Sequence, residues 1–537
     1  MKWKFRSAPS SGIKGQPQFW LLGLAGASIT IVVAAFFASR FRLGPIDDAF
    51  ISLRYAANWA GGHGLCFNPG EIVEGYSNFL LVLCETVLIR CGLDPMTAMS
   101  FLGLASLGCL SGLMTVFIER HIFRGKSLVA LTAGIMASLN SVLLCWGLSG
   151  LESCLFAMLL LAGFMAVVAD STFIRVIVSA ILLVLAAMTR LEAVVLFPIS
   201  LVAVFLRERS WGQTTAHASA IFGGFGTYFL ARALYFGYLF PNTFYAKLDY
   251  GNMALASRGA LYLWTFVRSN LPLFLFAGIA LVLVRKAPLW VRLFLATTGV
   301  LMATVIYTGG DHFPMFRFIA PVVPFLSLLA LYPAKIVINR SRGRHLLTEF
   351  VIILSLLTLG SSSVMTATQN SPGGKSQFDR FVFECHLARE WGRMGQWFFS
   401  NTSPDDSLTT IAIGAIGYYS KLRIIDPYGI INPVIAHLSG ELGRGYPGHE
   451  KYDVNTILAE RPSYILLVNR LTTAPVPRNA VSRSVWGDFN QALSESPLLN
   501  ERYQYQTVRL GQRFMSLFIR MDIPGIGSND ETHRPPP

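Results

Sequence analysis

QFWLLGLAGASITIVVAAFFAS (18–39) is followed, after the basic link RFRLGP (40–45), by IDDAFISLRYAANWAGGHG (46–64). A helix needs about 20 mostly apolar residues to cross roughly 30 Å of hydrocarbon, and the first run meets that length. The second run changes character: AFISLRYAANWA is amphipathic at helical spacing. It opens on two carboxylates, Asp47 and Asp48, set beside the hydrocarbon. Aspartate is favoured at a helix start, where capping contributes roughly 1 kcal/mol. Two adjacent carboxylates, followed within one loop by His63, Glu71 and Glu74, also suit a base that deprotonates a hydroxyl. The neighbour then orients the base, or the pair holds a divalent cation such as Mg, Mn or Ca. The sequence leaves both readings open.

Working outward, 53% of the 537 residues are hydrophobic and only 14% charged, with a mean hydropathy of +0.50. Soluble domains carry about 25% charged residues, so a purely soluble protein is excluded, as are intrinsic disorder, collagen and a disulfide-framed secreted domain. A net charge of +14 invites nucleic acid as a partner, but its location argues against one. Residues 1–366 hold 27 Lys/Arg against 14 Asp/Glu, and residues 367–537 hold 17 against 16. The basic excess lies in the apolar part, where the positive-inside rule accounts for it.

Apolar runs recur near 97–118, 127–146, 152–169, 176–189, 191–206, 216–237, 260–284, 290–308, 316–334 and 350–368, which with 18–39 predicts eleven crossings. The amino terminus (Lys2, Lys4, Arg6, Lys14) starts inside. The inner loops then hold Arg120, Arg124, Lys126, Arg175, Arg207, Arg209, Arg285, Lys286, Arg292, Lys335, Arg340, Arg342 and Arg344, beside only Glu119, Asp170, Glu208 and Glu349. This split requires 76–92 to lie on the outer surface as an interfacial helix. The first span reads as a retained anchor, with no defensible cleavage site. The domains are therefore 1–368, a membrane domain with its first outer loop at about 40–96, and 369–537, which ends up outside.

That carboxy-terminal stretch mixes strand-like runs (TTIAI, 409–413; YILLV, 464–468) with helix-like ones (377–399, 451–460), the pattern of a small α/β domain. Six of the seven cysteines (Cys66, Cys84, Cys91, Cys109, Cys145, Cys154) fall in the membrane part, without metal-ligand spacing. Cys385 stands alone in the tail, which must then fold on its own core. The end, GSNDETHRPPP (527–537), reads as disordered.

Once oriented, the polar motifs collect on the outer side: VEGYSNF (73–79), GLSGLES (147–153), TRLEA (189–193), LFPNTFYAK (239–247) and GGDHFPMFR (309–317). Ionisable residues at membrane depth cost at least about 2.5–3.5 kcal/mol each, so a one-sided cluster marks a functional site. Arg317 binds phosphate oxygens bidentately, or else snorkels from a turn; His312 adds a donor and Lys247 a compact cation. Asp311, Asn242, Tyr245, Glu74, Tyr76 and Asn78 are candidates for substrate contact, although the aromatics also fit a membrane-interface belt. Arg190 and Glu192 read as an internal ion pair, with Glu152 a weaker candidate of the same kind. An anionic group for the cations and a hydroxylated group for the carboxylates describe a lipid-linked phosphate sugar entering from the bilayer.

DDAFISLRYAANWAGGHGLCFNPGEIVEGYSNF (47–79), with LFPNTFYAK and GGDHFPMFRFIAPVVP (309–324), resembles the polytopic GT-C glycosyltransferases, most of all the group of the mycobacterial terminal β-arabinofuranosyltransferase. GAIGYYSKLRIIDPYGIINPVIA (414–436) and YPGHEK (446–451) resemble that group's outer domain. The resemblance implies a polytopic α-helical GT-C fold with a carboxy-terminal periplasmic α/β domain in the bacterial inner membrane. It also implies a polyprenyl-phosphate sugar donor, inversion at the anomeric carbon and acidic residues at Asp47 and Asp48, one of them the base. The expected activity is transfer of a hexose or pentose to a hydroxyl of a cell-envelope glycan or glycolipid, with membrane lipid as the surrounding partner and neither nucleotide nor nucleic acid involved. A transporter or flippase for the same lipid, or a polysaccharide ligase using a lipid diphosphate, are the alternatives.

Overall fold

The computed structural model describes residues 17–169, 172–248, 252–340, 345–371, 373–440, 442–483 and 487–523. Lys2, Lys4, Arg6, Lys14, Asp170, Arg342, Arg344 and the terminal GSNDETHRPPP lie outside the described residues.

The leading apolar run forms α1 (Pro17–Phe41) and the acidic run α2 (Asp47–Ala60); α3 (Phe79–Arg90) and α4 (Pro95–His121) follow. Four-residue spacing of small side chains lets α1 and α4 meet closely. A Cβ on Gly112 would lie 2.9 Å from the Gly23 carbonyl oxygen, and Thr30 Oγ1 donates to Ser111 Oγ at 2.8 Å. This close approach is the usual way helices associate where lipid offers no hydrophobic drive. At twelve residues α3 is about 18 Å long, too short to span.

Among the described residues five helices are long and apolar enough to cross a membrane: Gln18–Phe41, Pro95–His121, Leu289–Thr308, Val323–Arg340 and His345–Thr368. Two more runs are broken helices. Ser127–Ser138 and Ser141–Leu148 meet at 61°, where Asn140 caps the second helix through Val142 N–H. Met253–Ser269 and Leu271–Val282 meet at 97°. There Asn270 and Pro272 end one helix and start the next, and the Asn270 amide donates to Phe266 O and Thr366 Oγ1. The runs at 152–169 and 176–189 are shorter apolar helices, Ser153–Val168 and Phe173–Thr189.

The tail holds a five-stranded sheet: β1 (Ser407–Thr410), β2 (Arg423–Ile425), β3 (Tyr464–Leu466), β4 (Tyr503–Leu510) and β5 (Arg513–Arg520). The strand order is β2-β1-β3-β5-β4, with β1 parallel to β2 and β3, and β5 antiparallel to β3 and β4. Helix Gln377–Asn401, which the 377–399 pattern predicts, meets the sheet at Phe398, whose ring lies 5.7 Å from that of Tyr464 in β3.

The tail does not fold on a core of its own alone. Ile465, Phe489, Tyr503 and Phe518 form a separate cluster, but Phe381, Cys385, Leu408, Ile416 and Ile424 belong to the same core as the membrane helices. Polar bonds close this seam. Arg54 of α2, 3% exposed, donates to the carbonyls of Phe67 (2.8 Å), Gly417 (2.6 Å) and Leu422 (2.7 Å). Asn68 caps the free edge of β2, giving and accepting a bond with the Ile424 backbone at 2.9 and 3.0 Å.

Candidate active site

A cavity of about 420 Å³ lies where α2, the 75–78 loop, the 240–248 segment, the 310–318 turn and Pro447–Gly448 of the tail converge. Four carboxylates (Asp48, Glu152, Glu192, Asp311) and four cations (Arg190, Lys247, Arg258, Arg317) line it. Most of these charges are matched inside the wall, as burial demands.

Arg317 reaches the cavity from a distorted turn. Gly309 and Gly310 take φ values of +82° and +70°, and Met315 and Phe316 hold +58° and +50° without being glycine. Two bulky residues in the left-handed region store strain of order 1–3 kcal/mol each, which only strong tethers maintain. Those tethers are Trp146 Nε1, which donates to Met315 O at 2.7 Å, and Gln377 Oε1, which accepts from Met315 N–H at 2.9 Å. The guanidinium then lies 2.6 Å from Asp311 Oδ2 and 3.2 Å from Asp48 Oδ2, within cation–π range of Phe313 and Phe318. Residues 269 positions apart are thus paired at the cavity wall.

His312 sits on the same turn, its ring facing Tyr446 and His449. Burial, reinforced by His449, Arg317 and Lys247 and opposed by Asp48, holds its imidazole well below its usual pKa. It is a neutral hydrogen-bonding group here, not a cation. Lys247 ends helix Asn242–Lys247 and lies along Gly448; among the described residues no carboxylate is within ion-pair distance of it. Below them a polar chain runs from Ser52 Oγ to Asn78 Oδ1 (3.0 Å), Asn78 Nδ2 to Glu152 Oε2 (2.9 Å), and Arg190 to Glu152 (2.7 Å) and Glu192 (2.6 Å). Tyr76 lines the cavity, and its buried hydroxyl has no hydrogen-bond partner among the described residues.

Four candidates fall elsewhere. Asp47 turns away from the cavity: its Oδ1 accepts from Ala415 N–H at 2.7 Å and its Oδ2 from Gly414 N–H at 3.1 Å. The backbones are so close that a Cβ on Gly414 would lie 2.0 Å from the Asp47 carbonyl oxygen. Burial, with the charges of Asp48 and Glu384 adding and the two N–H bonds opposing, pushes its carboxyl up to about 7. Glu74 is consumed by Arg232, 2.6 Å away with both side chains buried. Asn242 donates to the carbonyls of Gly429 (2.6 Å) and Ile430 (3.2 Å), and Tyr245 packs on His437. These groups build the wall that supports the cavity.

Asp47 and Asp48 do not fit a divalent metal. The oxygens of Asp47 face backbone donors and Oδ2 of Asp48 faces Arg317; among the described residues no group of three or more His, Cys, Asp or Glu is placed to hold an ion.

Sequence reasoning missed Arg258, which donates to Gly309 O (3.2 Å) and Glu450 Oε1 (3.2 Å) from the second turn of helix Met253–Ser269; a charge beside an apolar run was the available signal. It also missed Glu384 on helix Gln377–Asn401. Burial, opposed by Arg380 and reinforced by Asp48 and Asp311, brings its carboxyl to about 7.

With this geometry in hand, the chain compares with known proteins as follows. It is similar over 95% of its length to the crystal structure of ArnT from Cupriavidus metallidurans bound to undecaprenyl phosphate, with 99% of that chain covered, 11% identity and a TM-score of 0.56. The apo state of the same protein gives 12% identity and a TM-score of 0.54, covering 94% and 98% of the two chains. The oligosaccharyltransferase of Archaeoglobus fulgidus in its apo form gives 10% identity and a TM-score of 0.50, over 96% of this chain and 76% of that one. The chain has the GT-C fold. It is a multi-pass membrane protein, helical in the majority, with a small carboxy-terminal sheet. A family model described as a domain of unknown function (DUF8728) matches residues 382–518, within that carboxy-terminal part. No curated protein sequence matches the chain.

Proposed function

We propose that the chain is an inverting glycosyltransferase that moves a sugar from a polyprenyl-phosphate donor to a hydroxyl of a cell-envelope glycan or glycolipid. The observation that carries this reading is the Asp48–Arg317 contact at 3.2 Å in the wall of a cavity that four carboxylates and four cations line. It brings a carboxylate able to take a proton and a guanidinium able to bind an anion into one cavity. Undecaprenyl phosphate in the similarly folded ArnT supports the donor class.

In this scheme Asp48 takes the proton of the acceptor hydroxyl as its oxygen attacks the anomeric carbon. The anomeric carbon–oxygen bond breaks from the opposite face, and its electron pair leaves with the lipid phosphate. Arg317 and Lys247 bind the departing phosphate, Arg258 lies close by, and neutral His312 donates to an oxygen. Asp311 fixes Arg317, while Tyr76 and Asn78 meet sugar hydroxyls. Asp47 holds the tail in place over the site.

The remaining features follow the same reading: eleven crossings in a bacterial inner membrane, an inner amino terminus, a membrane domain at 1–368 and a periplasmic domain at 369–537. The first-loop motif supports placement beside the terminal β-arabinofuranosyltransferase group, with the sugar a pentose or a hexose. The test is a deletion strain whose envelope glycans and lipid-linked sugars are weighed by mass spectrometry. The expected result is loss of one sugar from a glycan and accumulation of its polyprenyl phosphate, both restored by the wild-type gene and not by D48N. Unchanged glycans and lipids overturn the transferase reading; restoration by D48N overturns the base.

A further inference from the structure

Helix Leu289–Thr308 joins two cavities. Thr304, Tyr307 and Thr308 at its carboxy end line the Asp48 site, while its first residue, Leu289, lines a second cavity of about 520 Å³. Twenty residues at about 1.5 Å each separate them by roughly 30 Å, the thickness of the hydrocarbon core. The second cavity therefore lies at the opposite membrane face.

Four cations from three segments converge on it: Arg207, Lys286, Arg292 and Lys335. Among the described residues no carboxylate is in its wall, and Lys286, Arg292 and Lys335 have none within ion-pair distance. Inner-side charge alone spreads Lys and Arg over loops; it does not gather four of them around one concavity. Pro288 and Leu289 turn the amino end of the helix toward the same space, adding its positive dipole end. Tyr332 supplies a hydroxyl, and Leu206 and Ile336 make an apolar flank suited to an acyl chain.

We propose that this cavity is a second, non-catalytic site for a phosphate-bearing anion, the head group of an acidic phospholipid of the inner leaflet. It is independent of the transferase reading, because none of its residues touches the Asp48 cavity. Basic pockets between spans on this side of a membrane bind such head groups, with each cation near the surface adding to the attraction.

The test uses the full-length protein purified in neutral detergent, with thermal unfolding and native mass spectrometry as readouts. Phosphatidylglycerol or cardiolipin is expected to raise Tm saturably and to stay bound, and phosphatidylcholine to do neither. R292Q/K335Q is expected to weaken retention roughly ten- to thirty-fold, the loss of two such cations. R124Q/R175Q, which removes inner-side charge outside the cavity, is expected to keep it. Inorganic phosphate that matches the lipid shift and is lost in R292Q/K335Q identifies the ligand as free phosphate at the same site. Equal retention by R292Q/K335Q, equal loss in R124Q/R175Q, or equal stabilisation by phosphatidylcholine overturns the proposal. A misfolded double variant is recognised by its Tm without lipid; K286Q, exposed at the rim, then serves in its place.

Discussion

Asp47 and Asp48 share one helical turn and face different regions of the molecule. Asp47 looks into the seam between α2 and the tail, where Gly414 and Ala415 donate to it. Asp48 looks into the cavity, a quarter exposed and beside Arg317. Successive residues on a helix point about 100° apart, so an adjacent pair cannot both serve one site unless the site wraps the helix. The difference separates holding from reacting. Enclosure by backbone donors makes a carboxylate a clamp; an open side beside a guanidinium makes it available to a substrate.

The strongest way to break this comparison is to exchange the two effects. D48N is expected to lower turnover about 10²–10⁴-fold, the usual contribution of a general base, with little change in Tm. D47N is expected to lower Tm while retaining most turnover per folded molecule. Steady-state rates and thermal unfolding measured on the same preparations decide it. The opposite pattern returns the base to Asp47.

The seam itself is tested next. Arg54→Leu leaves the Leu422 carbonyl without its donor, at about 1–3 kcal/mol for a buried group left unpaired, and takes one of the donors from the carbonyls of Phe67 and Gly417, which keep Asn58 Nδ2 and Lys421 N–H. Gly414→Ala removes no polar group but forces a Cβ against the Asp47 carbonyl. Both are expected to lower Tm and to expose the tail to limited proteolysis. An unaltered digestion pattern in both variants removes the clamp.

On the cavity side, Lys247 is the cation with no carboxylate at ion-pair distance among the described residues, so its removal leaves no buried charge behind. Lys247→Ala is expected to raise the KM for the lipid donor roughly ten-fold while kcat changes little, one point charge being worth about 1.4 kcal/mol near a phosphate. A fall in kcat at constant KM assigns Lys247 to the reacting step instead of to binding.

Much of this was legible in the sequence because it is local. Apolar length picked out the five helices long enough to cross and the two bent pairs, the strand-like runs at 409–413 and 464–468 overlap the end of β1 and the whole of β3, and the shared polarity of the outer-loop motifs gathered much of the cavity wall. What was not legible is direction. The runs at 127–146 and 260–284 have the length of single spans, but hydropathy does not register the turns at Asn140 and Asn270, which bend them by 61° and 97°. Nor does it say which way a carboxylate points: the donors to Asp47 lie 367 and 368 residues downstream. Glu74 and Asn242 look like site residues by position, yet Arg232 and the Gly429–Ile430 backbone take them.

The seam also depends on pH. Enclosure holds the Asp47 carboxyl at about 7, against 3.8 in an open chain. Between those values the folded protein keeps a proton that the unfolded chain has lost, so ∂ΔG/∂pH is negative there and this residue's stabilisation falls as pH rises. Below about 3.8 both states are protonated and above about 7 both are ionised, and the dependence stops. His312 and His449, held low by burial, act with the opposite sign as pH rises toward 6.5, so the total slope mixes them. The difference in Tm between wild type and D47N isolates Asp47, since the other groups occur in both. That difference is expected to shrink steadily from pH 4 to pH 7 and then to level. A flat difference means the carboxylate is solvated in the folded protein, and the contrast between its two neighbouring environments disappears with it.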